Sequence, residues 1–406
     1  MTDAHGQELT TTVLVVGAGP AGGDLSRRLA AAGIDVLVVD QLADLRQAAF
    51  SSAALPITAL VRHGLPDSVV AHRWSRWQLH GPGDSLRQWR AASPLGVVLD
   101  FAALRRWLAE EAMRGGARLQ LGWRALDCQQ HADGTLLTRL RDRCGQVQFC
   151  RSRWVIDASG QSRALLGEPP DPSDLVCGVG VEWLLEVGPS SWRRWRDRLC
   201  FCLGTDWVPQ GYGWIFPMQP GQLKLGVCRL LDPCEPQPPL SPLLQGLIDR
   251  LLTPQQGESV RVIDRHGGLI RSSIRRREPH QVGRLIGLGD AVSTANLLGG
   301  EGIRHAMSSS QVLAPLLIKA VAEDRDHALT AYPALLRRRL GPRWSLSGRL
   351  ARRTWLGLRD QRADGHLDRL LRGLEHSAAE DLSALFFDYR FERYGLRALP
   401  YLLGWP

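Results

Sequence analysis

The sequence predicts a mixed α/β chain: a wound domain of strands and helices, an inserted antiparallel sheet and a helical C-terminal region. Three observations predict it. An apolar strand run, Leu14, Val15 and Val16, meets a glycine-rich turn and then a helical stretch from Asp24 to Ala32. A second strand, Arg284 to Leu288, ends in Gly289-Asp290 and passes through Gly299-Gly300-Glu301-Gly302 into a helix from about Ile303. Between them Tyr212, Trp214 and Phe216 alternate at period two, the spacing of one face of a strand.

The first turn reads Gly17-Ala18-Gly19-Pro20-Ala21-Gly22. Gly17 permits the tight turn, Gly19 lets backbone approach a pyrophosphate, and Gly22 lets helix and strand pack closely, with the helix N-terminus facing the negative charge. The next strand, Ile34 to Val39, ends in Asp40, the distance past the glycines at which a carboxylate meets a ribose hydroxyl. Glycine-rich turns also arise for structural reasons in a chain with 42 glycines, so the motif gains its weight from the strand, helix and acid around it. Together these features predict an adenine dinucleotide.

Composition bounds the rest. A chain of 406 residues with 44% hydrophobic content accommodates two intimately joined domains. It has no apolar run of about 18 residues, so no membrane-spanning helix is expected. The polar stretch Met1 to Thr10 lacks an apolar signal core, and a cytoplasmic location is expected. Cysteines 128, 144, 150, 177, 200, 202, 228 and 234 form no CxxC, so we expect reduced thiols and no metal site. The net charge is +9, and of 50 basic residues only Lys224 and Lys319 are lysines, a skew most simply explained by genome composition. The arginines nonetheless cluster: Arg337, Arg338, Arg339, Arg343, Arg349, Arg352 and Arg353 interleave with Trp344, Leu346, Leu350 and Trp355. Such a stretch suits either a peripheral contact with an anionic membrane or a solvated helix face. No recognition motif accompanies the charge, so nucleic acid is not an expected partner.

A third signature, Trp154-Val-Ile-Asp157-Ala-Ser-Gly160-Gln-Ser162-Arg163, lies between the two glycine-rich turns. The order of the three resembles the hydroxylase-like family of FAD proteins. The resemblance implies a Rossmann-like FAD-binding domain made of residues 11–167 and 276–330, a substrate sheet of residues 168–275 with strands from 74–96, and a helical region over 331–406. It implies FAD as cofactor, with Asp290 at the ribityl chain and the helix from Ile303 pointing at the flavin. The excursion Trp74 to Arg90 is expected to form paired strands covering the flavin.

The segment Pro209-Gln-Gly-Tyr212-Gly-Trp214-Ile-Phe216-Pro217 reads alone as a core strand or an apolar wall, and its pattern resembles the signature of the geranylgeranyl reductase family. That resemblance implies reduction of isolated double bonds in a polyprenyl chain, with Tyr212, Trp214, Phe216 and Pro217 binding substrate. Cofactor contacts are implied for Gly17, Gly19, Pro20, Ala21, Gly22, Asp40, Asp157, Gly160, Gly289, Asp290, Gly299, Gly300, Gly302 and Ile303. NADPH or another external donor, supplied free or by a donor protein, is implied as the source of electrons. No proton donor is implied; Tyr212 and His305 are candidates by residue type alone, and His305 also reads as a plain member of the flavin-facing helix. Phe101 stands where members of the family often carry an FAD-contacting arginine, for which Arg105 or Arg46 would substitute. Phe50-Ser51-Ser52-Ala53 stands where some carry Cys-Gly. Alternatives stay open: a lycopene-cyclase-like enzyme, although Gly267 to Ile274 lacks paired glutamates; an oxygen-using hydroxylase or halogenase, although neither lysine is expected near the flavin; and a non-catalytic flavoprotein.

Overall fold

A computed structural model describes residues 8–47, 51–169, 171–252, 257–392 and 394, so Phe50 lies outside the described residues. The chain begins β1 (Leu9–Val16), α1 (Pro20–Ala31), β2 (Val36–Asp40), β3 (Ala54–Pro56), α2 (Thr58–His63), β4 (Val70–Trp74), β5 (Arg76–His80), β6 (Leu86–Arg90), β7 (Gly96–Leu99) and α3 (Phe101–Arg114). There follow β8 (Arg118–Leu121), β9 (Trp123–Gln130), β10 (Leu136–Asp142), β11 (Val147–Asp157), β12 (Leu175–Val187), α4 (Pro189–Trp195), β13 (Arg198–Leu203), β14 (Gly211–Pro217), β15 (Gln222–Leu230) and α5 (Leu240–Leu251). The last part holds β16 (Val260–Ser273), β17 (Gln281–Val282), β18 (Leu285–Gly287), α6 (Ile303–Glu323), α7 (Tyr332–Leu340), α8 (Pro342–Gly357), α9 (Gln361–Leu374) and α10 (Ala379–Phe386).

One sheet orders its strands β17-β18-β11-β1-β2-β8, with the β9 and β10 hairpin continuing from β11. Around β1 the pairing is parallel, to β2 on one side and β11 on the other. Val13, Leu14, Val15 and Val16 are all buried, the continuous apolar run of a strand covered on both faces. On one face α1 and α6 share a core with the odd-numbered valines. The helix α1 starts at Pro20, four residues before the expected Asp24, because Gly19 is its N-cap and proline at the first helical position sacrifices no hydrogen bond. Likewise Asp100 caps the start of α3 by accepting from the Ala103 N–H at 3.0 Å.

The second sheet orders its strands β16-β12-β15-β14-β13-β5-β6. The 74–90 excursion supplies the paired strands β5 and β6, and β5 joins the sheet parallel to β13. A third, small sheet has the order β3-β7-β4. The back face of the large antiparallel sheet, including Ile215, Leu223, Leu225 and Val227, packs on Leu240, Leu244, Leu247 and Leu251 of α5. The front face, with Tyr212, Trp214 and Phe216, shares its core with Trp355 of α8, Leu367, Leu371 and Leu374 of α9, and Leu382 of α10. The C-terminal helices are therefore part of the sheet's packing. Arg87 of β6 fastens them by ion pairs to Asp368 and Glu375, both at 2.8 Å, and the Trp89 indole donates to the Leu374 carbonyl at 3.1 Å. Among the described residues no helix is long and apolar enough to cross a membrane.

Candidate functional site

The first glycine turn is shaped by contacts a side chain would destroy. Gly17 has φ of +109°, and a Cβ there would sit 2.4 Å from the Ala158 carbonyl oxygen. A Cβ on Gly22 would sit 1.9 Å from the Gly17 carbonyl oxygen, which is why helix and strand can lie so close. Gly19 faces open space, and no side chain caps the N-terminus of α1. Its first-turn N–H groups are thus free to meet an anion. Asp40 closes the end of β2. Its carboxylate accepts from the Ala18 N–H at 2.8 Å and the Leu42 N–H at 2.9 Å, and the Arg105 guanidinium stands 3.8 Å away.

Arg105 and Arg46, the two stand-ins for the family's arginine, separate clearly. Arg105 is 5% exposed, donates to the Gln47 carbonyl at 3.3 Å, and keeps a buried Nε with no partner. A buried, partly unsatisfied guanidinium beside Asp40 is chemistry suited to a nucleotide. Arg46 instead pairs with Asp44 at 2.7 Å on the surface.

The Asp157 turn serves a different purpose from the one its place in the motif suggests. Its carboxylate accepts from the N–H groups of Leu165 and Leu166, both at 2.9 Å, and from the backbone and hydroxyl of Ser159. Spent on its own loop, it holds the turn rather than reaching outward. Gly160 takes a φ of +73° beside it. Arg163, buried just beyond, donates to the carbonyls of Gly167 and Ala291 and so ties this turn to the Gly289-Asp290 turn.

That second turn packs against the first. A Cβ on Gly289 would sit 2.6 Å from the Cβ of Ala21, and Ser310 of α6 donates to the Ala21 carbonyl at 2.8 Å. Asp290 accepts from the Thr294 hydroxyl at 2.9 Å, and burial raises its carboxyl above the usual range. Gly299 faces open space, Gly300 takes a φ of +64°, and Gly302 forms the N-cap of α6 without a side-chain cap. Ile303, the first helical residue, packs with Leu104, Leu108 and Met307. Two uncapped helix N-termini, two open glycines and the Asp40–Arg105 pair therefore converge on one region. These residues fit FAD: α1 for the pyrophosphate, Asp40 and Arg105 for the nucleotide end, Asp290 and the start of α6 for the flavin end.

The aromatic strand meets this cradle from the other side. A Cβ on Gly300 would lie 3.1 Å from the Tyr212 hydroxyl, so the tip of Tyr212 touches the loop that leads into α6. Tyr212, Trp214 and Phe216 share a face, with ring centroids 6.0 and 6.3 Å apart, and Trp355 closes over Tyr212 at 5.0 Å. Burial raises the Tyr212 hydroxyl well above its usual value, which keeps it protonated and able to donate. Pro217 is buried at the end of β14 opposite Leu223. His305 turns away from the wall. It bonds Tyr389 at 3.0 Å, lies 3.3 Å from Glu301 and meets Trp344 edge-on, and burial lowers its pKa.

Two charged residues stand on the same front face: Glu182, which the sequence reading passed over, and Lys224, which it kept away from the flavin. Glu182 of β12 is 5% exposed; its Oε2 accepts from the Trp214 indole at 2.9 Å, and its Oε1 has no partner. Lys224 of β15 is also 5% exposed and donates to the Ser51 carbonyl, crossing from the sheet to the cradle side. Its ammonium therefore lies nearer the cradle than its place in the substrate sheet suggests. Burial raises the Glu182 carboxyl and lowers the Lys224 ammonium, each shift opposed by the other's charge. Strand alternation puts Lys224 opposite Phe216 and Glu182 opposite Gly226, the neighbour of Trp214. That was readable as a pattern, but nothing in it says which face is covered by the cradle.

The family described as FAD binding domain matches residues 10–169. Digeranylgeranylglycerophospholipid reductase of Haloferax volcanii is 28% identical over 350 residues, covering 82% of this chain and 82% of that protein. This chain is an FAD-dependent oxidoreductase related to geranylgeranyl reductases. The oxidoreductase is also 27% identical over 365 residues to menaquinone reductase of Mycolicibacterium smegmatis, covering 84% of this chain and 83% of that protein. In fold the oxidoreductase matches a geranylgeranyl bacteriochlorophyll reductase-like protein from Thermoplasma acidophilum with a TM-score of 0.80, at 20% identity and covering 95% and 98% of the two chains.

Proposed function

We propose that the oxidoreductase reduces isolated double bonds of a polyprenyl substrate. The observation that carries this reading is the buried aromatic face of Tyr212, Trp214 and Phe216 meeting the flavin-end loop at Gly300. An unactivated alkene offers no charge to grip, so binding rests on apolar burial, about 0.8 kcal/mol per CH2. The aromatic rings hold the chain extended, and the C-terminal helices over them exclude water. FAD held by the cradle would supply the hydride for one alkene carbon, its electrons coming from NADPH or another external donor. The Tyr212 hydroxyl, kept protonated by burial and set against Gly300, supplies the proton to the other. The residues proposed to hold FAD are Gly17, Gly19, Asp40, Arg105, Asp290 and Gly302, and Arg46 is not among them.

Anaerobic incubation of chemically reduced, FAD-loaded protein with geranylgeranyl lipids, followed by product mass, tests the reading. A gain of two hydrogens per flavin oxidised is expected. Cyclisation of lycopene at unchanged mass, or product formed only with oxygen, would overturn it. In the Tyr212→Phe variant, product formation in a single turnover should slow by about 10²-fold, the typical contribution of a positioned acid, with product mass and substrate affinity retained. An unchanged rate would remove Tyr212 from the proton transfer.

A further inference from the structure

Outside the cradle, a groove of about 930 Å3 lies between α8 and the segment after β16. Six arginines line it: Arg275, Arg277, Arg349, Arg352, Arg353 and Arg359. On α8, Arg349, Arg352, Arg353 and Leu356 follow the i, i+3, i+4, i+7 spacing of one helix face. Acidic compensation is partial. Asp174 stands 3.6 and 3.8 Å from Arg275 and Arg277, and Arg359 is held by Asp232 and Glu235. Arg349, Arg352 and Arg353 pair with no acid among the described residues. Guanidinium groups gathered in a concavity of this size form a site for phosphate-like oxyanions, which they bind bidentately.

The groove also has an apolar side. Ile274 and Leu356 line it and pack against the cluster that contains Tyr212, Trp214, Phe216 and Leu298. The opposite face of α8 covers the flavin-end loop: Ser347 bonds the Asn296 side chain at 2.6 Å, and the Trp355 indole donates to the Leu298 carbonyl at 3.2 Å. One helix therefore presents cations outward and the lid of the aromatic wall inward.

We propose that this groove seats the phosphate or diphosphate head of the substrate whose apolar chain lies on the aromatic wall. The inference rests on the polyprenyl reading above and narrows it to anionic-headed lipids over neutral-headed ones such as quinones and alcohols.

The test uses the full-length, FAD-loaded protein and its R349Q/R352Q/R353Q variant, titrated by tryptophan fluorescence with geranylgeranyl diphosphate, geranylgeraniol and sodium diphosphate. The variant should bind geranylgeranyl diphosphate about 30-fold more weakly while its affinity for geranylgeraniol moves by less than about threefold, and sodium diphosphate should compete with the prenyl diphosphate on the wild type. Unchanged affinity for the prenyl diphosphate, or no competition by sodium diphosphate, overturns the proposal. So does arginine-dependent sedimentation with phosphatidylglycerol vesicles, absent with phosphatidylcholine, when prenyl diphosphate affinity is unaltered; the face would then be a membrane contact. If neither prenyl ligand binds the wild type, the polyprenyl reading fails, whereas arginine-dependent binding of sodium diphosphate would still support the groove as an oxyanion site. Should the triple variant fail to retain FAD, R352Q alone is read the same way, with an expected loss of about threefold.

Discussion

The two faces of the large antiparallel sheet are built to different rules. Along β14 and β15 the back face is aliphatic: Ile215, Leu223, Leu225 and Val227 are all fully buried against α5, with no charge between them. The front face is aromatic and carries two buried charges, Glu182 and Lys224, that form no direct ion pair with each other among the described residues. Burying unpaired charge costs stability, so the back face is organised for folding and the front face spends part of that stability on two polar side chains among its aromatic rings. The same strands supply both, because alternation along β14 and β15 sends neighbours to opposite sides.

Substitutions on the two faces should therefore fail differently. Trp214→Ala should have the largest effect, about 3–5 kcal/mol of stability lost for the ring, with about 1–3 kcal/mol more because the Glu182 carboxyl loses its donor. Urea unfolding measures this. Prenyl affinity should fall in the same variant, and a variant that unfolds early yet binds geranylgeraniol normally would show that the front face is ordinary core. Leu244→Ala on α5 should cost about 2–5 kcal/mol and leave geranylgeraniol affinity within about twofold. A large affinity change there would erase the distinction between the faces.

Two glycines sharpen it further. A Cβ on Gly226 would lie 2.1 Å from the Trp214 ring on the front, and one on Gly213 would lie 2.3 Å from Leu247 on the back. Each change to alanine should cost about 1–3 kcal/mol by overpacking, but only Gly226→Ala should shift the tryptophan emission response to ligand. Equal fluorescence responses in both would contradict the assignment of Trp214 to the binding face.

The smallest effect concerns pH. Burial holds the folded-state Glu182 carboxyl above its ordinary 4.5. Above 4.5 the unfolded chain releases this proton while the native state still holds it, so the contribution to stability is full below 4.5 and is lost as pH rises through the folded-state value. For one proton the slope is at most about 1.4 kcal/mol per pH unit. Glu182→Gln should remove that slope, and profiles that run parallel for the two proteins would mean the carboxyl titrates in the native state as it does in the unfolded chain.

Much of the cradle was legible in advance. Gly17, Gly19 and Gly22 act through backbone geometry, which local sequence dictates, and the strand before and helix after them follow from apolar periodicity. The start of α1 moved by four residues, to Pro20, because the Gly19 N-cap and the proline after it override where the apolar pattern begins. Arg46 and Arg105 could not be told apart by spacing; only the docking of α3 beside β2 buries one and leaves the other on Asp44. Asp157 shows the same limit, since its motif position is shared whether its carboxylate reaches outward or, as here, braces its own turn.

The sequence by itself determined the α/β architecture, the glycine turns and the single-faced aromatic strand, because each depends on residues within a few positions of one another. Tertiary structure alone decided that Tyr212 meets Gly300, that Glu182 and Lys224 share the buried face, and that α8 covers the wall while presenting arginines outward. Those relations join segments far apart in the chain, and which surfaces meet is set by the packing of whole sheets and helices rather than by any local preference.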